Sequence, residues 1–147
     1  MYKPQEDNTK VLMEPLIQEY GSYINNPMAT VIVANKGISA TSFDKVSSLF
    51  GRKERLASLL NVSVKTMQRY QKEGKKLNPL NSEMVLKFIA LFQKGIEIFG
   101  LRKAFLNWLE KPAIGLGNLR PYDLLKTSSG IDLVQEELIR IEYGDLA

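Results

Sequence analysis

Six polar side chains within one ten-residue stretch, Ser63, Lys65, Thr66, Gln68, Arg69 and Lys72, have the types and spacing to read a polyanion. On a helix they share the polar face, while Val64, Met67 and Tyr70 turn inward. Arg69 and Gln68 are long enough to reach base edges, where Arg pairs bidentately with guanine and Gln with adenine. Ser63, Lys65 and Thr66 suit phosphate oxygens, helped by the free N–H groups of a helix N-terminus. Around them, Arg52, Lys53, Arg55, Lys75 and Lys76 add attraction that does not depend on sequence. Residues 51–76 carry eight Lys/Arg and two Glu, a local charge of +6 within a chain of net +4. Such a block favours a polyanion partner, because each neutralised phosphate releases condensed counterions. A solvated helix face produces the same composition.

A second polar group lies at the other end. Arg140, Glu142 and Tyr143 fall on the last turn of a predicted helix, just before Gly144 and the final Asp145, Leu146 and Ala147. The neighbouring Val134, Leu138 and Ile141 are explained by core packing; these three are not. A terminal turn of this kind can protrude into a partner's cleft.

Neither group is catalytic in character. The chain has no Cys and no His. That removes disulfides, thiol nucleophiles, imidazole acid–base chemistry and the usual zinc and haem ligands. No Gly-rich phosphate loop follows a strand, and no paired carboxylates face a defined cleft. An enzyme is therefore not expected, nor a cofactor or catalytic metal. No apolar run approaches the roughly 18–20 residues that span a bilayer. The polar, acid-bearing N-terminus does not read as a secretion signal, so a cytoplasmic protein with no membrane partner is expected.

The elements that position these residues read as all-α. Residues 1–36 form an N-terminal extension, expected to be partly flexible with a helical patch at Leu12, Leu16 and Ile17. The β-branched run Met28 to Ala34 leaves strand and helix both open. Thr41 to Asp44 resembles a capping box for a helix carrying Phe43, Val46 and Phe50, which Gly51 stops. Arg52 to Leu60 is a second helix. Asn61-Val62-Ser63 is a tight turn, with Asn61 suited to a left-handed conformation and Ser63 to capping a third helix over Val64 to Glu73. Two helices of about ten residues joined by a turn of three or four fit a helix-turn-helix. Leu77 to Ser82 reads as a loop ending in a cap, followed by a long helix from about Glu83 to Phe99. A further helix covers Leu101 to Leu109, with Phe105 and Trp108 inward. Residues 112–119 form a glycine-rich loop, in which Gly115 and Gly117 fix the backbone. Pro121 opens a short helix for which Asp123 is a possible cap, and Ser129 to Asp132 start the last helix.

The last forty residues also carry an ordered string. It runs through Trp108-Leu109, Lys111-Pro112, Gly115-Leu116-Gly117, Pro121-Tyr122-Asp123-Leu124-Leu125, Thr127, Gly130, Val134, Leu138 and Arg140-Ile141-Glu142-Tyr143-Gly144. This string resembles the C-terminal toxin-binding domain of the Xre/MbcA/ParS antitoxin family. Upstream, Leu56-Ala57-Ser58-Leu59-Leu60-Asn61-Val62-Ser63-Val64-Lys65-Thr66-Met67-Gln68-Arg69 resembles that family's Xre-like helix-turn-helix module. The chain departs from the pattern at Asn61 and Asn118, where glycines are common, and before Leu56, where a Ser or Thr cap is missing.

The resemblance implies a helix-turn-helix DNA-binding domain over residues 37–100 and a toxin-binding domain over residues 101–147. It implies an antitoxin of a type II toxin–antitoxin system, which blocks a RES-domain toxin that consumes NAD or transfers ADP-ribose. It also implies binding to operator DNA, as a homodimer or as a larger assembly with toxin. Ser63, Lys65, Thr66, Gln68, Arg69 and Lys72 then touch DNA. Arg140, Glu142, Tyr143, Gly144, Asp145, Leu146 and Ala147 then plug the toxin cleft, where a carboxylate pairs with arginines that ordinarily hold phosphates. The competing reading is a stand-alone helix-turn-helix regulator that binds DNA tightly by itself.

Overall fold

A computed structural model describes residues 8–144 as eight α-helices with no strand among them. They are α1 (Thr9–Ile24), α2 (Pro27–Lys36), α3 (Ser42–Phe50), α4 (Lys53–Leu60), α5 (Val64–Lys72), α6 (Pro79–Phe99), α7 (Arg102–Leu109) and α8 (Ser128–Glu142). Short 3-10 turns cover Ile114–Leu116 and Pro121–Leu124. The all-α class expected from periodicity is what the chain adopts. None of the described helices is long and apolar enough to cross a membrane.

The hub is α6. Its 21 residues bury Met84, Val85, Leu86, Phe88, Ile89, Leu91 and Phe92, so it is apolar around most of its circumference. Helices α1, α2, α3, α7 and α8 all lie against it. Phe92 sits edge-on to Phe50 of α3 at 4.9 Å and to Phe105 of α7 at 5.1 Å. One aromatic cluster therefore joins elements from both halves of the chain, and edge-to-face pairs of this kind add to plain area burial.

Local signals decide most helix ends. Ser63 starts α5 as read, its hydroxyl accepting from the Thr66 N–H at 2.9 Å. Asn61 ends α4 with φ 57°, the left-handed conformation that Asn tolerates. Asn118 has φ 62°, so both Asn residues that stand where the family string favours glycine adopt a conformation glycine ordinarily supplies. Asn61→Ala is expected to cost about 1 kcal/mol, since alanine pays the full left-handed penalty, whereas Asn61→Gly stays within a few tenths. Urea unfolding of the two variants checks this.

Other ends differ from the sequence reading. Thr41 is already in helical geometry and makes no side-chain cap. Ser39 does the local work instead, its hydroxyl accepting from the Thr41 N–H at 3.3 Å and its carbonyl from the Ser42 hydroxyl at 2.7 Å. The long helix begins at Pro79 rather than Glu83. Asn78 caps it, accepting from the Asn81 N–H at 2.7 Å, and Pro79 takes the first-turn position where its missing N–H costs nothing. Ser82 is then inside the helix, accepting from the Ile38 N–H at 3.0 Å and tying α6 to the segment before α3. The last helix starts at Ser128 under a Thr127 cap that accepts from the Gly130 N–H at 3.0 Å.

The stretch Met28 to Ala34 is helical. Asn26 accepts from the Ala29 N–H at 3.1 Å and Pro27 fills the first turn, which outweighs the β-branched composition. The preceding helix, α1, runs through Pro15 and buries Met13, Leu16, Tyr20 and Ile24. Residues 9–36, read as an extension with a helical patch, are thus two helices seated on α6.

Candidate functional site

Helices α4 and α5 are joined by the three residues 61–63, with Met67 fully buried at their junction. The chain leaving α5 is fastened to the segment before α3: the Ala40 N–H donates to the Lys75 carbonyl at 3.0 Å and the Leu77 N–H to the Ile38 carbonyl at 2.8 Å. The Gln71 amide donates to the Ala40 carbonyl at 3.3 Å. These bonds fix which face of α5 looks outward.

That face is the one read from the sequence. Ser63, Lys65, Thr66, Gln68, Arg69 and Lys72 line one open groove of about 950 Å³ together with Lys53 and Gln71. Lys65, Arg69 and Lys72 have no carboxylate partner among the described residues, whereas Lys53 is paired with Asp44 at 3.4 Å and Lys75 with Glu73 at 3.0 Å. Three unpaired cations on one exposed helix face keep their field available to an anion. The Arg69 guanidinium lies over the Tyr70 ring at 5.4 Å, a contact that guides the side chain without neutralising it. Ser63 is engaged as the helix cap and donates its own proton to the Thr66 hydroxyl at 2.8 Å. Ser63→Ala is expected to cost about 1 kcal/mol of stability through the lost cap, readable as a lowered midpoint in chemical denaturation.

Arg55 departs from the sequence reading. It is not a free contributor to the basic field, because it pairs with Glu110 at the end of α7 at 2.5 Å and stacks over the Tyr122 ring at 4.7 Å. Glu110 also accepts from Arg120 at 3.0 Å, and Arg120 forks onto Asp123 at 3.0 and 2.7 Å. The Arg120 guanidinium holds the Asp123 carboxyl below its usual range. Asp123 is therefore half of a fork-to-fork ion pair, not a helix cap. The network joins α4 to the segment between α7 and α8, residues 55 positions apart in the chain.

At the C-terminal end, Arg140 and Glu142 lie on the last turn of α8, and Tyr143 and Gly144 follow, both exposed. Tyr143 is 76 % exposed. Arg140 donates from Nε to Glu137 Oε1 at 2.8 Å. Glu142 accepts from Lys94 of α6 at 3.1 and 3.2 Å, a bond that raises the Lys94 pKa and anchors the end of α8. Asp145, Leu146 and Ala147 lie outside the described residues. The basic groove and the C-terminal group are on different elements, and among the described residues no hydrogen bond or ion pair links the six residues of one to Arg140, Glu142, Tyr143 or Gly144 of the other.

Glu137 was not singled out by its sequence. At 1 % exposure it is a buried acid, with Arg140 on Oε1 and no partner on Oε2 among the described residues. Its carboxylate lies against Gly115, where an added Cβ would overlap both oxygens. Gly115 is needed for space, not for its dihedrals; Gly117, at φ 66°, is the one that needs conformational freedom. A Glu 22 places along the chain from the glycine it packs on gives no local signal.

Residues 94–144 match the family described as the antitoxin Xre/MbcA/ParS C-terminal toxin-binding domain. The match begins inside α6 and ends just after α8, so it covers the hub's last turns, α7, both 3-10 turns and α8. Similarity to curated proteins extends further. An "Antitoxin Xre" of Photorhabdus laumondii is 25 % identical over 138 residues, covering 92 % of this chain and 93 % of that one. A "Prs ADP-ribosylating antitoxin" of a Sphingobium species is 26 % identical over 135 residues, 85 % of each chain. An "Antitoxin Xre" of Yersinia enterocolitica is 25 % identical over 93 residues, 63 % of each.

Proposed function

We propose that the chain, whose residues 94–144 match the antitoxin Xre/MbcA/ParS C-terminal toxin-binding domain and which is similar along most of its length to curated antitoxins, is an antitoxin that neutralises a RES-type toxin that consumes NAD or transfers ADP-ribose, and represses its own operon through the α4–α5 pair. The observation that carries the toxin half of this reading is the match over residues 94–144, whose described end is an exposed turn bearing Arg140, Glu142 and Tyr143. Neutralisation is stoichiometric: the C-terminal turn and the tail beyond it enter the toxin's cleft and compete for the polar groups that bind substrate. The Sphingobium relative's name, "Prs ADP-ribosylating antitoxin", supports a toxin of ADP-ribose chemistry as the partner.

The operator half rests on the basic groove of α5 and its three unpaired cations. Lys65 and Thr66 face phosphates, and Gln68 and Arg69 face base edges. The protein binds DNA as a homodimer or together with toxin, because one short helix reads too few base pairs for operator specificity, and paired half-sites supply the rest. The chain itself performs no catalysis and holds no cofactor; its acids serve as ion-pair partners and solvated faces. It works in the cytoplasm, where its operon is.

The test is growth rescue. The protein encoded by the adjacent reading frame is expressed alone and with this chain, and growth and cellular NAD are followed. Arrest with NAD loss, both reversed by this chain, is the expected result. Rescue without any NAD change keeps the antitoxin role and removes the NAD-consuming toxin. A harmless neighbour leaves the stand-alone regulator as the better reading of the α5 groove.

A further inference from the structure

The loop between α7 and α8 holds an apolar side chain out in solvent on a rigid frame. Ile114 is 84 % exposed, more than any other large apolar side chain among the described residues, and Leu119 beside it is 51 % exposed. The loop is closed on itself. The Ala113 N–H donates to the Leu119 carbonyl at 3.0 Å, and the Ala113 carbonyl accepts from the Leu116 and Asn118 N–H groups, each at 3.0 Å. Gly117 and Asn118 make the turn with two successive left-handed residues. From beneath, the buried Glu137 carboxylate presses on Gly115, next to Ile114, while its Oε1 accepts from Arg140. The loop backbone and Arg140 are therefore both tied to one buried carboxylate.

We propose that Ile114 is an apolar anchor of the toxin interface, entering an apolar pocket of the toxin beside the cleft that the C-terminal turn occupies. This rests on the antitoxin reading above. A pre-formed loop pays almost no ordering entropy on binding, so the apolar area it removes from water appears largely as affinity. A lone exposed residue is unremarkable on any protein surface. Two apolar side chains on a doubly braced loop, which lies within the segment matched to a toxin-binding domain and packs through Gly115 on the residue that holds Arg140, are placed as a contact. Glu137 is its positioning residue, setting the height of the loop and the direction of Arg140 together.

The test measures affinity of the full chain for the protein encoded by the adjacent reading frame, by calorimetry, with Ile114→Asp, Ile114→Leu and Leu80→Asp as variants. Leu80 is 62 % exposed but lies outside the matched segment. Ile114→Asp is expected to weaken binding at least about tenfold, with thermal midpoint and promoter binding unchanged; Ile114→Leu and Leu80→Asp stay near the unsubstituted value. Equal affinity of Ile114→Asp and the unsubstituted chain overturns the anchor while leaving the antitoxin reading in place. So does a variant that changes only the chain's self-association, which assigns the loop to a contact between copies. If the unsubstituted chain itself does not bind the neighbour, the underlying reading fails first and the anchor falls with it.

Discussion

Cutting the chain after Ile139 is expected to abolish growth rescue completely while leaving a folded protein that still binds its promoter. The cut removes Arg140, the half-buried Ile141, Glu142, Tyr143, Gly144 and the three residues beyond. It keeps Ile131, Val134 and Leu138, the fully buried positions of α8, and the Thr127 cap that starts the helix. Two ties are lost with it, Arg140 to Glu137 and Glu142 to Lys94. The first loss matters for stability, because Glu137 is buried and would be left as an unpaired charge. Glu137→Gln in the truncated chain removes that charge, so any remaining defect in neutralisation belongs to the missing turn. A shorter cut after Glu142 keeps both ion pairs and isolates Tyr143 and the tail; it is expected to weaken rescue less. Co-purification with the toxin and circular dichroism of each form check the outcome. A chain cut after Ile139 that still restores growth would remove the plug from the mechanism and leave the Ile114 loop as the main contact.

Replacing Lys65 and Arg69 together by alanine should lower affinity for the chain's own promoter about 100-fold, with neutralisation intact. The two side chains play different parts. On the proposed operator reading Lys65, near the start of α5, faces a phosphate, so Lys65→Ala is expected to weaken every sequence alike and to reduce the slope of log K against log salt by about one. On the same reading Arg69, one turn further along, faces a base edge, so Arg69→Ala is expected to cost about 1–3 kcal/mol at one base pair and to relax specificity there. Both are exposed and unpaired, so neither change touches the core. Titration of promoter fragments at several salt concentrations, with and without toxin, reads all three quantities. Parallel loss of DNA binding and neutralisation would contradict two separate surfaces. Some coupling between them has a physical route, since Arg55, Glu110, Arg120 and Asp123 join α4 to the C-terminal segment. If toxin changes promoter affinity, Glu110→Gln is expected to reduce that change without altering either affinity measured alone.

Parts of this arrangement are readable along the chain because they are local. Ser63 capping α5, Asn61 ending α4 and the inward turn of Met67 each depend on neighbours within four residues. The six candidate DNA-facing residues fall in one groove for the same reason: a helix puts every third or fourth residue on one face wherever it sits. Local signals also mislead where two compete. Thr41 and Ser82 both look like caps, yet Ser39 and Asn78 hold those places. Met28 to Ala34 has strand-forming composition, but the Asn26 cap, Pro27 and a seat on α6 make it a helix.

Sequence by itself determined the all-α class, the polar face of α5, the glycine-rich loop and the ordered string that marks the C-terminal segment. Tertiary structure alone decided that Glu137 is buried against Gly115, that Arg55 is spent on Glu110, and that α6 belongs to both halves of the molecule. The physical reason is distance along the chain. A cap or a helix face is settled by interactions within one or two turns. A contact between residues 22 or 55 places apart forms only when loop closure and core packing bring the elements together, and its outcome depends on space and charge that no short stretch of residues records.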